Sequence, residues 1–427
     1  MQKLVLKNFG PVRECEISVR DTMVLAGRQA SGKSTVAKAI FFFKNIPNLL
    51  ELQIRKRLLQ ADNTVEYDLI RAVRLNFLQT FGSTWCMDPT LEMEYHYSGD
   101  IGIRIFLRQG MENQNYIWIE MGETLSHRIK NLGQSYQNLI LQEQAGNSGV
   151  LHTEIIRIFE DDREVVYIPA GRSVLTLLSN QLNYIYGVMD DVQKRDLDYC
   201  TQNYLEKTLK IRPFFSKDLD SIIRETKELT GEAADPHSLQ LIRQDCRDIL
   251  QGEYHYINGE ERLQIQKDRY VKINFASSGQ QEAVWILNML LYQLLNRKKT
   301  FFIIEEPESH LFPDAQKDMI QFISMVQKYQ NQVLITTHSP YVLGTLNNLL
   351  YAGEMSQTVP AEKINGIIDA MYWQYPDQFD GYYLENGRVC NCMDEEHRQI
   401  QNEIIDGASV QINADYDALL SVKYGEE

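Results

Sequence analysis

At the start of the chain, apolar and polar positions alternate in two short runs, KLVLKNF and ECEISV, parted by Gly10-Pro11. A period of two with a turn-forming pair between the runs predicts two strands. A third apolar run, Thr22 to Ala26, leads into a glycine-containing loop, and from Thr35 the stretch VAKAIFFFKNI is apolar round most of a helical wheel, which predicts a buried helix. Helical spacing continues from Leu49 to Gln79. The segment LEMEYHYSGDIGIRIFLRQG alternates on both sides of Ser98-Gly99-Asp100 and YIWIEMG follows, so a meander of three strands is predicted.

Helices are predicted from Leu125 to Phe159 and over most of Leu175 to Leu250, with the strand and turn REVVYIPAGRS between them. These helices lack the sustained heptads of a coiled-coil arm. A hairpin at Asn258-Gly259, a helix from Gly279 to Asn296, the strand TFFIIEE, a helix from Asp314 to Gln327 and the strand QVLITTHS complete the pattern. Strands that are apolar throughout and alternate with helices predict a mainly parallel sheet covered on both faces, hence an α/β core.

Composition narrows the class. The 427 residues are 44% hydrophobic and 24% charged, as in ordinary globular proteins. No apolar run approaches the roughly 20 residues that span a bilayer, and the opening MQKLVLKNFG lacks the zones of a signal peptide; the expectation is a cytoplasmic protein without a membrane partner. The net charge of −15 works against a protein that coats nucleic acid with its whole surface, while a local basic groove stays compatible with it. The six cysteines are scattered without a CxxC pair, which argues against a disulfide framework or a zinc site. Cys390 and Cys392, two apart in an apparent strand, are expected to share a face.

The chemistry concentrates at four places. Gly27-Arg28-Gln29-Ala30-Ser31-Gly32-Lys33-Ser34-Thr35 follows a predicted strand and opens a predicted helix, the context a phosphate loop requires. Glycines admit close approach of the backbone, amides at the helix start favour an anion, Lys33 offsets phosphate charge and Ser34 can ligate magnesium. The strand FFII delivers Glu305 and Glu306 to the carboxyl edge of the sheet, a Walker B arrangement in which Glu305 holds magnesium through water and Glu306 polarises the attacking water. The strand VLITT delivers His338 to the same edge, where an imidazole can sense γ-phosphate. Ala276-Ser277-Ser278-Gly279-Gln280-Gln281 opens an apolar helix; it reads either as a plain N-cap or as a second set of donors for phosphate.

Those four elements in that order resemble the ABC ATPases, with a phosphate loop near the N-terminus and a signature motif, Walker B strand and switch histidine far downstream. KLVLKNFGPV, GRQASGKST, YIPAGRS, EEPESHLFPDAQ and ITTHSPYVL are similar to the SMC-like branch of that family, which includes the OLD proteins and many bacterial anti-phage ATPases. The resemblance covers roughly residues 1 to 45 and 265 to 350 and implies an α/β P-loop NTPase head of the ABC type. Such a head has a mainly parallel sheet, an antiparallel β side sheet and a helical insertion lobe. Residues 1–120 are then the first part of the head, 121–255 the mainly helical lobe, 256–350 the second part of the head and 351–427 an accessory segment.

The resemblance further implies ATP and Mg2+ as cofactors and hydrolysis in a sandwich of two chains. In it Ser277, Ser278, Gly279 and Gln280 face the nucleotide bound by the partner copy, and Ser309 to Leu311 lie on the loop between the two sites. This sequence has Ala276 and Ser278 where the usual L-S-G-G-Q signature has Leu and Gly. Gln79 is the candidate for the family's Q-loop glutamine. Arg172 reads either as an arginine that approaches nucleotide or a partner, or as the surface anchor of a β-turn. OLD nucleases append a TOPRIM domain, but beyond His338 no apolar strand ends in Glu-Gly, and Asp415 and Asp417 stand in ADYDALLSV, which reads as a helix start. The expectation is an ATP-driven switch acting on a separate effector such as a nuclease in a defence or DNA-transaction complex. A DNA-repair type head that binds duplex DNA, and a transporter ATPase, are the alternatives.

Overall fold

A computed structural model describes residues 1–56, 65–110, 115–144, 149–177, 197–230 and 235–424. Its strands are β1 (Lys3–Phe9), β2 (Val12–Ser18), β3 (Thr22–Gly27), β4 (Glu92–Ser98), β5 (Ile101–Gln109), β6 (Asn115–Met121), β7 (Glu164–Ile168), β8 (Glu253–Ile257), β9 (Glu260–Gln266), β10 (Arg269–Lys272), β11 (Thr300–Glu305), β12 (Gln332–Thr337), β13 (Phe379–Glu385) and β14 (Arg388–Asn391).

One 11-stranded sheet runs β6-β5-β4-β1-β2-β14-β13-β3-β12-β11-β7. The block β13-β3-β12-β11-β7 is parallel throughout. The other end, β6-β5-β4-β1-β2, is antiparallel, as the alternating patterns predict. Between them β14 pairs parallel to β2 and antiparallel to β13, so core and side sheet are one surface. β11 is not the direct neighbour of β3, because β12 lies between them.

The continuous apolar strands are explained by two cores, one on each face. Alternate residues of β3 point opposite ways: Met23 and Leu25 join one cluster, Val24 and Ala26 the other. β11 divides in the same manner, with Phe301 and Ile303 on one side and Phe302 and Ile304 on the other. The helix Lys33–Lys44 fills the first core with Val36, Ile40, Phe41, Phe42 and Phe43, all buried. The helix Ser278–Leu295 fills the second, with Trp285, Ile286 and Leu290 buried.

The stretch 121–255 supplies β7 as the outer strand of the parallel block and helices to both cores. A separate three-stranded sheet, β10-β9-β8, follows it. Asn258 and Gly259 both adopt left-handed φ, +52° and +83°, as the two-residue hairpin turn between β8 and β9 demands. The C-terminal residues are built into the sheet: β13 hydrogen-bonds to β3 along its full length. Cys390 and Cys392 do not share a face. β14 ends at Asn391; Cys390 is exposed and Cys392 buried. Asp415 and Asp417 lie within the helix Asn402–Tyr424 rather than at its start, and both are exposed. No cluster of metal-ligating side chains occurs among the described residues. No helix among them is long and apolar enough to cross a membrane.

Candidate functional site

Because β3, β11 and β12 are parallel, their carboxyl ends meet on one edge, and each delivers part of the sequence-predicted chemistry there. β3 runs into the loop Gly27–Gly32. Ala30 takes a left-handed φ of +59°, and Gly32 caps the next helix at φ +109°. Gly32 has no room for a side chain: a Cβ would stand 2.9 Å from Val12 Cγ2. Arg28 is exposed, as is Ser34 in the first turn of the helix, and Thr35 is half-buried.

Lys33 is buried, and its Nζ donates to the carbonyls of Gly27 (2.8 Å) and Arg28 (2.9 Å). Burial pushes its amine below the usual lysine range, and the charges of Glu306, Glu308 and Glu305 pull it partly back. The Ser31 hydroxyl is buried with no hydrogen-bond partner.

The end of β11 carries two carboxylates in different settings. Glu305 is buried; its Oε2 accepts the amide of Ala170 (3.1 Å), and its Oε1 has no partner. Glu306 leaves the strand at a left-handed φ of +43°, and its amide donates to the Thr336 carbonyl (2.9 Å). That is a costly conformation for a non-glycine residue, of the kind held at functional sites. Its side chain is half-exposed, and its Oε1 lies 3.5 Å from His338 Nδ1.

His338, exposed at the end of β12, is steered by a residue the sequence reading passed over. Glu308 is buried; its Oε1 accepts the Thr337 hydroxyl (2.6 Å) and the His338 amide (3.1 Å). Its other oxygen is buried without a partner. The signal was present in E-E-P-E, where a third carboxylate follows Pro307 on a strand end.

The turn expected to act as the signature motif sits at the N-terminus of helix Ser278–Leu295. Ser277 is its N-cap in a reciprocal box: Ser277 N donates to Gln280 Oε1 (3.0 Å) and Gln280 N to Ser277 Oγ (3.4 Å). Ser277 and Ser278 are exposed, and Gln280 also reaches the Leu250 carbonyl (2.8 Å). Gly279 is buried against the loop after β11, where a Cβ would stand 2.7 Å from the His310 carbonyl oxygen. The turn and the Ser309–Leu311 loop are therefore packed together.

Arg172 is neither exposed nor a surface anchor. It is fully buried, paired with Glu282, and donates to the carbonyls of Glu305 and Glu306. The clue was Glu282, a lone carboxylate ahead of AVWILNMLL, which only a buried cation makes tolerable. Gln79 is half-buried near the end of helix Val65–Phe81, and among the described residues no hydrogen bond joins it to the phosphate loop.

No curated protein matches the chain. Solved structures similar to it include an SMC head bound to the C-winged helix domain of ScpA, 13% identical over 92% of this chain and 98% of that one with a TM-score of 0.42. The SMC head domain from Thermotoga maritima is 12% identical over 91% and 97%, TM-score 0.37. An Smc head with an extended coiled coil, bound to the C-terminal domain of ScpA derived from Pyrococcus furiosus, is 14% identical over 92% and 96%, TM-score 0.38. The family model for the AAA ATPase domain matches residues 1–148 and 162–343, which take in the phosphate loop, the two-glutamate strand and His338. The chain belongs to the AAA ATPase domain family.

Proposed function

We propose that this protein is an ATP-driven switch that binds and hydrolyses ATP in a sandwich of two copies. The observation that carries this reading is the convergence of Lys33, Glu305, Glu306 and His338 on one sheet edge, with Glu306 held at a strained φ beside the imidazole.

The residues fit Mg2+ as well as ATP. Glu305 has a buried carboxylate oxygen without a partner, and Ser34 stands exposed at the helix start behind the phosphate loop. Ser34 directly, and Glu305 through water, would hold the ion, which when bound neutralises charge on the β and γ phosphates. The amides of Ser31 to Thr35 and the Lys33 amine bind the phosphates, the amine exchanging its bonds to Gly27 and Arg28 for phosphate oxygens. Glu306, half-exposed at the sheet edge, accepts a hydrogen bond from water and aims it at the γ-phosphate. His338, whose Nδ1 lies 3.5 Å from that carboxylate, would contact the γ-phosphate, and Glu308 holds its backbone amide.

Ser277 and Ser278 are exposed at a positive helix end packed on the Ser309–Leu311 loop, which suits a contact made by a second chain. The resemblance to OLD-like ATPases extends the reading to control of a separate effector, a nuclease, in an anti-phage or DNA-transaction complex.

The test is Glu306→Gln with ATP, followed by light scattering after gel filtration. The amide keeps shape and loses the charge that orients water, so the variant accumulates as an ATP-bound dimer with hydrolysis slowed at least a hundredfold. Wild-type turnover in this variant would sink the assignment of Glu306.

A further inference from the structure

Arg172 Nε lies 3.1 Å from Glu282 Oε2, and both side chains are wholly withdrawn from solvent. Such a pair is expensive to bury and contributes little net stability against apolar residues of the same volume. Its neighbours indicate a different role. The guanidinium donates to the carbonyls of Glu305 (2.7 Å) and Glu306 (3.0 Å), the two residues that carry the carboxylates of the site. Its Nε also reaches the carbonyl of Glu282 itself (3.3 Å).

Glu282 returns the connection from the other side. Its two oxygens accept the amides of Arg172 (3.2 Å) and Ser173 (2.9 Å). The Thr176 hydroxyl adds a bond to the Gln281 carbonyl (2.9 Å). Glu282 stands little more than a turn along the helix that Ser277 caps. One end of this network is the helix that Ser277 caps, where the Gln281 amide donates to the Ser277 carbonyl (3.0 Å), and the other is the peptide that sets Glu306 at φ +43°. Ala170, two residues before Arg172, closes the loop with its amide on Glu305 Oε2.

We infer that Arg172 and Glu282 are positioning residues: they lock the signature helix to the Glu305-Glu306 strand end, so that engagement of the signature turn sets the posture of the hydrolytic carboxylate. In a two-chain sandwich the turn meets the partner's nucleotide while Glu306 addresses its own chain's nucleotide. The pair then couples one composite site to the other. This rests on the reading of Glu306 as the water-orienting base.

The test uses two variants of the full chain, the double substitution Arg172→Met/Glu282→Leu, which removes both buried charges together, and Glu282→Gln, which keeps the shape. Melting temperature, Kd for a fluorescent ATP analogue, and kcat and KM for ATP are measured for each beside Glu306→Gln. The expected result is a folded protein with Kd and KM within threefold of wild type and kcat lowered at least tenfold. A contact that merely holds the fold would move melting temperature and Kd together with kcat.

If either variant binds nucleotide normally and turns over within threefold of wild type while Glu306→Gln is inactive, the inference is wrong and the base assignment survives. If both variants lose nucleotide binding, the pair is only a fold-holding contact and the inference also fails. An active Glu306→Gln would remove the base assignment and this inference with it.

Discussion

The carbonyl oxygen of Leu384 closes over Gly27: a Cβ at position 27 would stand 2.7 Å from it and 2.9 Å from Ser31 Oγ. The two residues are register partners in β13 and β3, so the strand from the C-terminal part of the chain braces the start of the phosphate loop. The Leu384 carbonyl is backbone held in the β13–β3 ladder and cannot swing away. Gly27→Ala should destabilise the fold by about 1–3 kcal/mol, as overpacking does, and weaken ATP binding at least tenfold. Gly344→Ala is the control, since nothing lies within 4 Å of a Cβ in that helix and the substitution should be neutral or stabilising by under ~1 kcal/mol. Equal melting temperatures and ATP affinities for the two variants would remove the bracing role.

Lys33→Ala should abolish most nucleotide binding while leaving the fold intact. The amine is buried and bonded only to loop carbonyls in this structure, so its loss takes away the cation that faces the phosphates without breaking an ion pair. Calorimetric titration should show ATP affinity lowered at least tenfold, with a melting temperature within a few degrees of wild type. An unchanged titration would refute the phosphate-loop assignment.

Stability should respond to pH through Asp245. It is buried on helix Pro236–Leu250 with the Tyr372 hydroxyl on both its oxygens at 2.9 and 3.1 Å. Burial, opposed by that hydroxyl and reinforced by the charges of Asp318, Asp248 and Asp369, pushes its carboxyl up to about 7. A raised carboxyl binds its proton more tightly in the folded state. Its contribution to stability is therefore fully present below the unfolded value near 4 and falls as pH rises toward 7. Asp245→Asn, which keeps an acceptor for Tyr372, should melt close to wild type at pH 5 and several degrees higher at pH 8. A constant difference across that range would show that Asp245 does not titrate there.

Much of this architecture was legible because periodicity reports burial. The uniformly apolar runs TFFII and VLITT, alternating with helices, predict strands covered on both faces, and the two clusters that share β3, β11 and β12 bear that out. Asn258-Gly259 named its own turn through the φ it requires. What the chain order could not show was adjacency across long separations. Nothing local in FDGYYLE indicates that it pairs with β3, far earlier in the chain, because strand partners leave no mark on period-two spacing. Cys390 and Cys392 were misplaced for a related reason: β14 stops one residue earlier than an alternating pattern implies.

The site divides along the same line. That the Gly27–Thr35 loop, the paired glutamates and His338 share one sheet edge could be read from the sequence because each pairs a strand end with a polar group. Arg172 could not be resolved, since a turn arginine looks the same in sequence whether it faces water or a buried carboxylate on another helix.

The measurement that bears most directly on the central claim is ATPase activity in a mixture of Lys33→Ala and Ser277→Arg subunits, each inactive alone. If catalysis is shared between chains, a mixed dimer has one site in which an intact phosphate loop faces an intact signature turn, and the other site carries both lesions. Random pairing then restores activity toward roughly a quarter of the wild-type rate. A mixture that stays as inactive as its parents, with subunit exchange demonstrated by labelled chains, would contradict a site built from two copies.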